Sequence, residues 1–267
     1  MKIILPTVAA IICAIVLVMG NIHWKERTIV SSVAKDPDTV TDTETTSNQD
    51  ESDNKETITP NMDLSYIKNW PTDAQDTFKK KMKQGEQFKI AIVGSQELGD
   101  DHGWANQLKN AMEETYGKEH LQVVTFSFDK TSNDFILEKR FNEVANEKAD
   151  LVLFEPFVLN DNSGGIGVET NHDNILMVVN ALKGKNEKTV IMLQPSNPIY
   201  NAINYPKQVE QLKDFAKEND FDYLDHWSAW PNPQTEEIMD YLDNESNPSE
   251  KGHEVWFTFL KDYFIAE

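Results

Sequence analysis

Five short apolar runs, each followed by a stretch with helical spacing, constrain this chain more than any other feature. The runs are Lys89–Ser95, Leu121–Asp129, Ala149–Phe157, Lys188–Pro195 and Asp222–Trp227. Several, such as "ADLVLFEPF" and "TVIMLQP", are continuously apolar rather than alternating. That is the pattern of parallel strands buried on both faces. Between them, apolar residues recur at helical spacing: Trp104, Leu108 and Met112, then Leu137, Phe141 and Val144, then Val209, Leu212 and Phe215. A helix over Asp63–Gln84, with Ile67, Trp70, Phe78 and Met82 as its apolar points, precedes the first strand, and "GHEVWFTFLKDYFIAE" closes the chain. Repeated strand–helix alternation predicts an α/β fold: a parallel five-stranded sheet with helices on both faces.

Outside this alternation the chain changes character. Ile3–Gly20 carries no charged residue and follows Met1-Lys2. Such a stretch is just long enough to span a bilayer core. A cleaved signal peptide is the alternative, but no clear small-x-small cleavage site follows, so an uncleaved N-terminal transmembrane helix is favoured. Lys2 on one side competes with Lys25 and Arg27 on the other, leaving orientation open. Ser31–Pro60 is rich in Ser, Thr, Asp and Glu and has no aromatic residue. A segment of that kind cannot bury enough apolar surface to offset its ordering entropy. The expected organisation is a membrane anchor over 1–22, a disordered acidic linker over 23–60 and a folded domain over 61–267. The 267 residues leave room for one sizeable domain plus such appendages. A net charge of −20 argues against nucleic acid as a direct ligand. The lone cysteine, Cys13, excludes a disulfide framework and a CxxC metal site.

Ligands of such sheets bind at the carboxyl ends of the strands. The polar residues there are Gly94-Ser95, Asp129 to Ser132, "LNDNSGG", "QPSNP" and "LDHW", and "NPSEKGH" opens the last helix. Gly94 and Gly99 have the spacing of a phosphate-binding loop, but Asp100-Asp101 stand where Lys-Ser/Thr is needed and would repel phosphate. No GxGxxG and no HExxH is present, so no dinucleotide or zinc signature stands out. A serine at a strand-to-helix turn can instead expose a nucleophilic hydroxyl, given a base and oxyanion donors. The same serine could simply cap a helix.

Taken together, Ser95 after the first strand, Asn160-Asp161 after the third and a histidine near "NPSEKGH" resemble the SGNH/GDSL hydrolases. The stretches "LFEPFVLNDN", "QPSNPIYNA", "YLDHWSAWP" and "NPSEKGHEVW" are similar, as a set, to membrane-anchored members from Gram-positive bacteria. The resemblance covers about Phe88 to Phe264. It implies a flavodoxin-like three-layer α/β/α sandwich and cleavage of acetyl or short acyl esters on cell-envelope glycans or lipids. No cofactor is implied. The partners implied are an ester-bearing small molecule or cell-wall polymer and the membrane, with the catalytic domain extracytoplasmic.

Residue by residue, the resemblance places the nucleophile at Ser95, preceded by Gly94 where the family usually has Asp. The oxyanion donors fall at Asn160 and near Asp129, where a backbone N–H would serve because glycine is absent, together with the Ser95 N–H. The usual Asp-x-x-His-Pro maps to Asn244-x-x-Asn247-Pro248, where neither amide can take a proton. His253, with Glu250 three residues before it, restores an acid-x-x-His spacing in shifted register; His226 after Asp225 is the other candidate base. If neither reaches Ser95, the domain is a degenerate hydrolase, either a surface-tethered glycan-binding module or a structural partner of a membrane complex. Trp227, Trp230 and Pro231 read as packing rather than a sugar platform. Asn162–Gly167 is a turn or a substrate loop, and His102 a solvated surface residue.

Overall fold

The computed structural model of the protein describes residues 63–267. The expected anchor and linker lie outside the described residues. Among those described, no helix is long and apolar enough to cross a membrane. The five strands are β1 (Phe88–Gly94), β2 (Leu121–Ser127), β3 (Leu151–Phe154), β4 (Val190–Leu193) and β5 (Asp222–Tyr223), in the order β2-β1-β3-β4-β5. All four pairings are parallel. Each apolar run outlasts its strand: the ladder ends, and the remaining residues form the rim where the site lies.

Eight α-helices occur among the described residues: α1 (Thr72–Gln84), α2 (Trp104–Tyr116), α3 (Ser132–Leu137), α4 (Phe141–Asn146), α5 (Val158–Gly164), α6 (Val168–Lys185), α7 (Tyr205–Glu218) and α8 (Glu250–Phe264). Alternation along the strands builds two cores. Ile90, Ile92, Leu151, Leu153 and Met192 face α1, α2 and α8. Ala91, Val93, Val152, Phe154, Ile191 and Leu193 face α3 to α7. The first core contains Trp104 stacked on Trp256 at 4.6 Å between centroids, both fully buried. Burying a side chain of that size contributes about 3 kcal/mol.

Three helical expectations change. The segment from Asp63 to Gln84 is not one helix: a 3-10 turn over Leu64–Ile67 ends before Pro71, which caps α1. Proline pushes its predecessor, here Trp70, out of the helical region. The helix expected after β2 breaks into α3 and α4 at Lys139, whose φ is 57°. The third, α6, was not expected, although Ile175, Val178, Val179 and Leu182 mark a helical face that lies against the sheet. The glycine-rich stretch before it is only partly a turn: Asn162–Gly164 close α5, Gly165 ends that helix at φ 71°, and Gly167 caps α6.

Because β2 and β3 flank β1 on opposite sides, the chain reverses direction across the sheet there. This switch point opens a crevice at the carboxyl ends of β1 and β3, the position at which ligands bind in such sheets.

Candidate active site

Ser95 leaves β1 with φ −76° and ψ −177°, so the strand's alternation continues through it. Its side chain therefore falls on the same face as Ala91 and Val93, and it is 0% exposed. The Ser95 hydroxyl donates to Glu155 Oε2, and the Ser95 N–H donates to the same oxygen at 2.7 Å. That backbone donor is therefore committed, a correction to its expected oxyanion role. Glu155 follows β3 and is also 0% exposed. Its other oxygen accepts the Phe157 N–H at 3.0 Å. Phe157 holds φ 60°, a strained position for an aromatic residue. Gly94 permits the approach, because a Cβ there would lie 2.8 Å from Glu155 Oε2.

A second buried carboxyl, Glu97, lies in the turn after Ser95 and is 4% exposed, with Oε2 lacking a hydrogen-bond partner among the described residues. Burial pushes the Glu155 carboxyl up to about 8, and repulsion from Glu97 adds to the shift, while bonds from Ser95 and Phe157 oppose it. Glu97 is raised chiefly by its own burial.

Above this layer, two recesses meet. One, of about 560 Å³, is lined by Glu97, Asp129, Lys130 and Asn160. The other, of about 970 Å³, is lined by Asp100, His102, Asp243, Glu250 and His253. Gln96, Glu245 and Asn247 line both, making one cleft with exposed Gln96 at its middle. The cleft thus has Asn160 and Asp129 on one side, His253 and Glu250 on the other. Ser95 itself is fully buried and lines neither recess; its hydroxyl is bonded to Glu155.

Neither histidine is bonded to Ser95. His253 Nδ1 accepts the Trp104 N–H at 3.3 Å, and its ring packs on Gly99, where a Cβ would lie 2.7 Å from Cε1. An imidazole accepting at Nδ1 carries its proton on Nε2 when neutral, so Nε2 there is a donor. Burial lowers His253 from the usual histidine value, opposed by Asp100 and Asp243. Exposed Glu250 makes no ion pair with it among the described residues. His226 is fully buried: Trp230 Nε1 donates to its Nδ1 at 3.0 Å, and its Nε2 lies 2.9 Å from Pro195 O. Burial pushes it down to about 3, and it stacks on Trp256. It is a core histidine with both nitrogens in use.

Asn160 donates to the Lys130 carbonyl at 2.9 Å, leaving its second amide hydrogen for the cleft. Its neighbour Asp161 fixes that position: buried, it accepts from the Ser132 N–H at 2.7 Å, the Ser132 hydroxyl at 2.6 Å and Asn171 at 2.8 Å, joining α5 to α3 and α6. Asp129 is exposed at the rim. Asn247 is tied to Asp243 through its N–H at 2.9 Å and its amide at 3.2 Å. Trp227 and Trp230 pack into the two cores, and exposed His102 lines the larger recess. Among the described residues no group of three or more His, Cys, Asp or Glu side chains could hold a metal ion. Glu155 and Glu97 were missed by the sequence reading; the signal was a glutamate inside the apolar run "LVLFEPF", since a charge there must be buried and partnered.

A parallel sheet in this order, covered by helices on both faces, defines a three-layer α/β/α sandwich, here with a serine and an asparagine at its switch crevice. Residues 90–255 match the GDSL-like lipase/acylhydrolase family, and the chain belongs to it. No curated protein matches the chain. Among solved structures, it is similar to Axe2, an acetylxylan esterase from Geobacillus stearothermophilus (TM-score 0.53, 16% identity, 68% of this chain and 96% of that one). It is similar also to a G-D-S-L family protein from Desulfitobacterium hafniense DCB-2 (TM-score 0.52, 18% identity, 66% and 99%). LAE5, an alpha/beta hydrolase enzyme from the metagenome of Lake Arreo, Spain, shares the fold as well (TM-score 0.52, 13% identity, 66% and 94%).

Proposed function

We propose that the chain is a serine ester hydrolase, with Ser95 as nucleophile and short acyl esters as substrates. The observation that carries this reading is the placement of Ser95 at the carboxyl end of β1, hydrogen-bonded to a buried carboxyl and followed directly by Gln96 and Glu97, which line the cleft with Asn160. In this mechanism Ser95 attacks the ester carbonyl, an acyl-enzyme forms, and water releases it. The second amide hydrogen of Asn160 and the backbone at Asp129 stand on the side where an oxyanion would be held. Ser95 is fully buried at rest, so productive binding requires the rim around it to open.

Acidic side chains from Asp100, Asp129, Asp243, Glu245 and Glu250 line the cleft. Lys130, its cation, is paired to Glu138 at 2.9 Å. The substrate is therefore a neutral or cationic ester, such as an acetylated neutral or amino sugar of the cell envelope, rather than an anionic lipid or acidic glycan. Residues 1–22 would anchor the domain and 23–60 would tether it outside the membrane. The apolar run and the acidic Ser/Thr-rich segment support that arrangement.

A second reading is favoured by one observation: Gln96, not Ser95, faces the cleft. A domain so arranged would bind a glycan without cleaving it. Hydrolysis of a neutral aryl acetate by the full chain, beside Ser95→Ala, separates the two. Loss of activity in the variant supports the esterase; equal background rates in both, with retained glycan binding, support the binding domain.

A further inference from the structure

We infer that Glu155, not an imidazole, takes the proton of Ser95; this rests on the esterase reading above. Geometry comes first. The Ser95 hydroxyl already donates to Glu155 Oε2, the contact a general base must make with the proton that it removes. The carboxyl is fixed in place by the Ser95 N–H on one oxygen and the Phe157 N–H on the other. Delivering the second donor costs a left-handed backbone at Phe157, strain kept where it orients a functional group. The imidazoles are engaged elsewhere: His226 through both nitrogens, His253 through an Nδ1 that accepts from Trp104.

The proton balance closes on this one carboxylate. As Ser95 Oγ bonds to the acyl carbon, its proton passes to Glu155 and the carbonyl electron pair moves onto oxygen. When the tetrahedral species collapses, the carbon–oxygen bond to the leaving alkoxide breaks and Glu155 returns the proton to it. Water then attacks the acyl carbon, giving its proton to Glu155, and Oγ departs as it takes that proton back. The net reaction is ester plus water to acid plus alcohol.

The titratable groups facing Glu155 are Glu97, from the turn after β1, and Tyr205, from the first turn of α7. Glu97 makes Glu155 more basic by repulsion, and the Tyr205 hydroxyl has no hydrogen-bond partner among the described residues. Burial together with Glu97 holds Glu155 up to about 8, near the operating range that a proton acceptor needs.

The test uses the full chain with a neutral aryl acetate, comparing wild type, Glu155→Gln and Glu155→Asp from about pH 5 to about pH 10, with a fluorophosphonate probe scoring Ser95 reactivity. In wild type, kcat/KM rises with pH through a limb near about 8. Glu155→Gln lowers kcat by at least ~100-fold with little change in KM and loses probe labelling, whereas Glu155→Asp restores part of the rate with a displaced limb. A folded Glu155→Gln with near-wild-type kcat overturns the assignment. So does a limb near the ordinary histidine value of about 6.5 that disappears in His253→Ala. If Glu155→Gln does not fold, the wild-type limb and Glu155→Asp decide. Wild-type activity no higher than Ser95→Ala removes the esterase reading itself, and the role of Glu155 with it.

Discussion

A side chain at Gly99 would have nowhere to go. Its φ is 80°, and a Cβ would lie 2.5 Å from Gly103 Cα and 2.7 Å from His253 Cε1. Gly99→Ala should therefore cost about 2 kcal/mol of stability, read as a lower urea midpoint at unchanged slope. Asn160→Ala tests the other side of the cleft. Loss of one oxyanion donor costs ~3 kcal/mol of transition-state stabilisation, about a hundredfold in kcat. An unchanged rate would remove Asn160 from the proposed chemistry. At this scale the sequence was legible where strand ends announce themselves: Ser95 and Asn160 both lie at the switch crevice. It was not legible in which way Ser95 points, because that depends on an extended backbone continuing one residue past the ladder. Nor could acid-x-x-His spacing show that His253 Nδ1 meets the Trp104 N–H, a contact between residues 149 apart in sequence.

Two of the three helices that bound the first core, α2 and α8, also carry one wall of the cleft. Trp104 on α2 and Trp256 on α8 stack at 4.6 Å, and Trp256 Nε1 donates to Gln194 Oε1 at 3.2 Å, at the end of β4. His226 lies against the same indole at 4.0 Å between centroids. Trp256→Ala would leave a large cavity and strand the Gln194 amide in the core. The expected loss is about 4 kcal/mol, measured by denaturant unfolding; a loss below about 1 kcal/mol would show that α8 can collapse onto α2. Strands were easier to read than helices here. A run such as "LVLF" is apolar because both its faces are covered, and within the folded domain such continuous runs mark strands rather than helices. Helix ends depend on single residues instead: Pro71 and Lys139 each divide a pattern whose apolar spacing continues across the break. In α6 the apolar face was visible, but Asn171 and Asn174, both buried, interrupt it with hydrogen bonds that only the folded neighbours explain.

Charge acts over the whole molecule. With a net charge of −20 and an acid-lined cleft, kcat/KM for a cationic ester should fall as salt rises, while that for an anionic ester should increase. Equal salt responses for both would mean that the cleft acids do not face the substrate. Stability should follow a different profile, set by buried groups whose titration folding displaces. Glu155 moves from 4.5 to about 8, so its contribution is complete below about 4.5 and is lost as pH rises to about 8. Glu97 and Asp161, also raised by burial, act in the same direction. His226 moves from 6.5 to about 3, so its contribution is complete above about 6.5 and is lost as pH falls to about 3. His253 and His172, lowered by burial, reinforce it. The two sets oppose each other between about 4.5 and 6.5, which places a broad maximum there. Above about 6.5 only the carboxyls act, and Tm should decline toward about pH 8. Differential scanning fluorimetry across that range checks it, and Glu155→Gln should flatten the alkaline decline while leaving the acid side in place. A Tm that rises from about 6.5 to about 8 in the wild type would mean that Glu155 is not held protonated in the folded protein, and that the buried pair with Ser95 is solvated in solution.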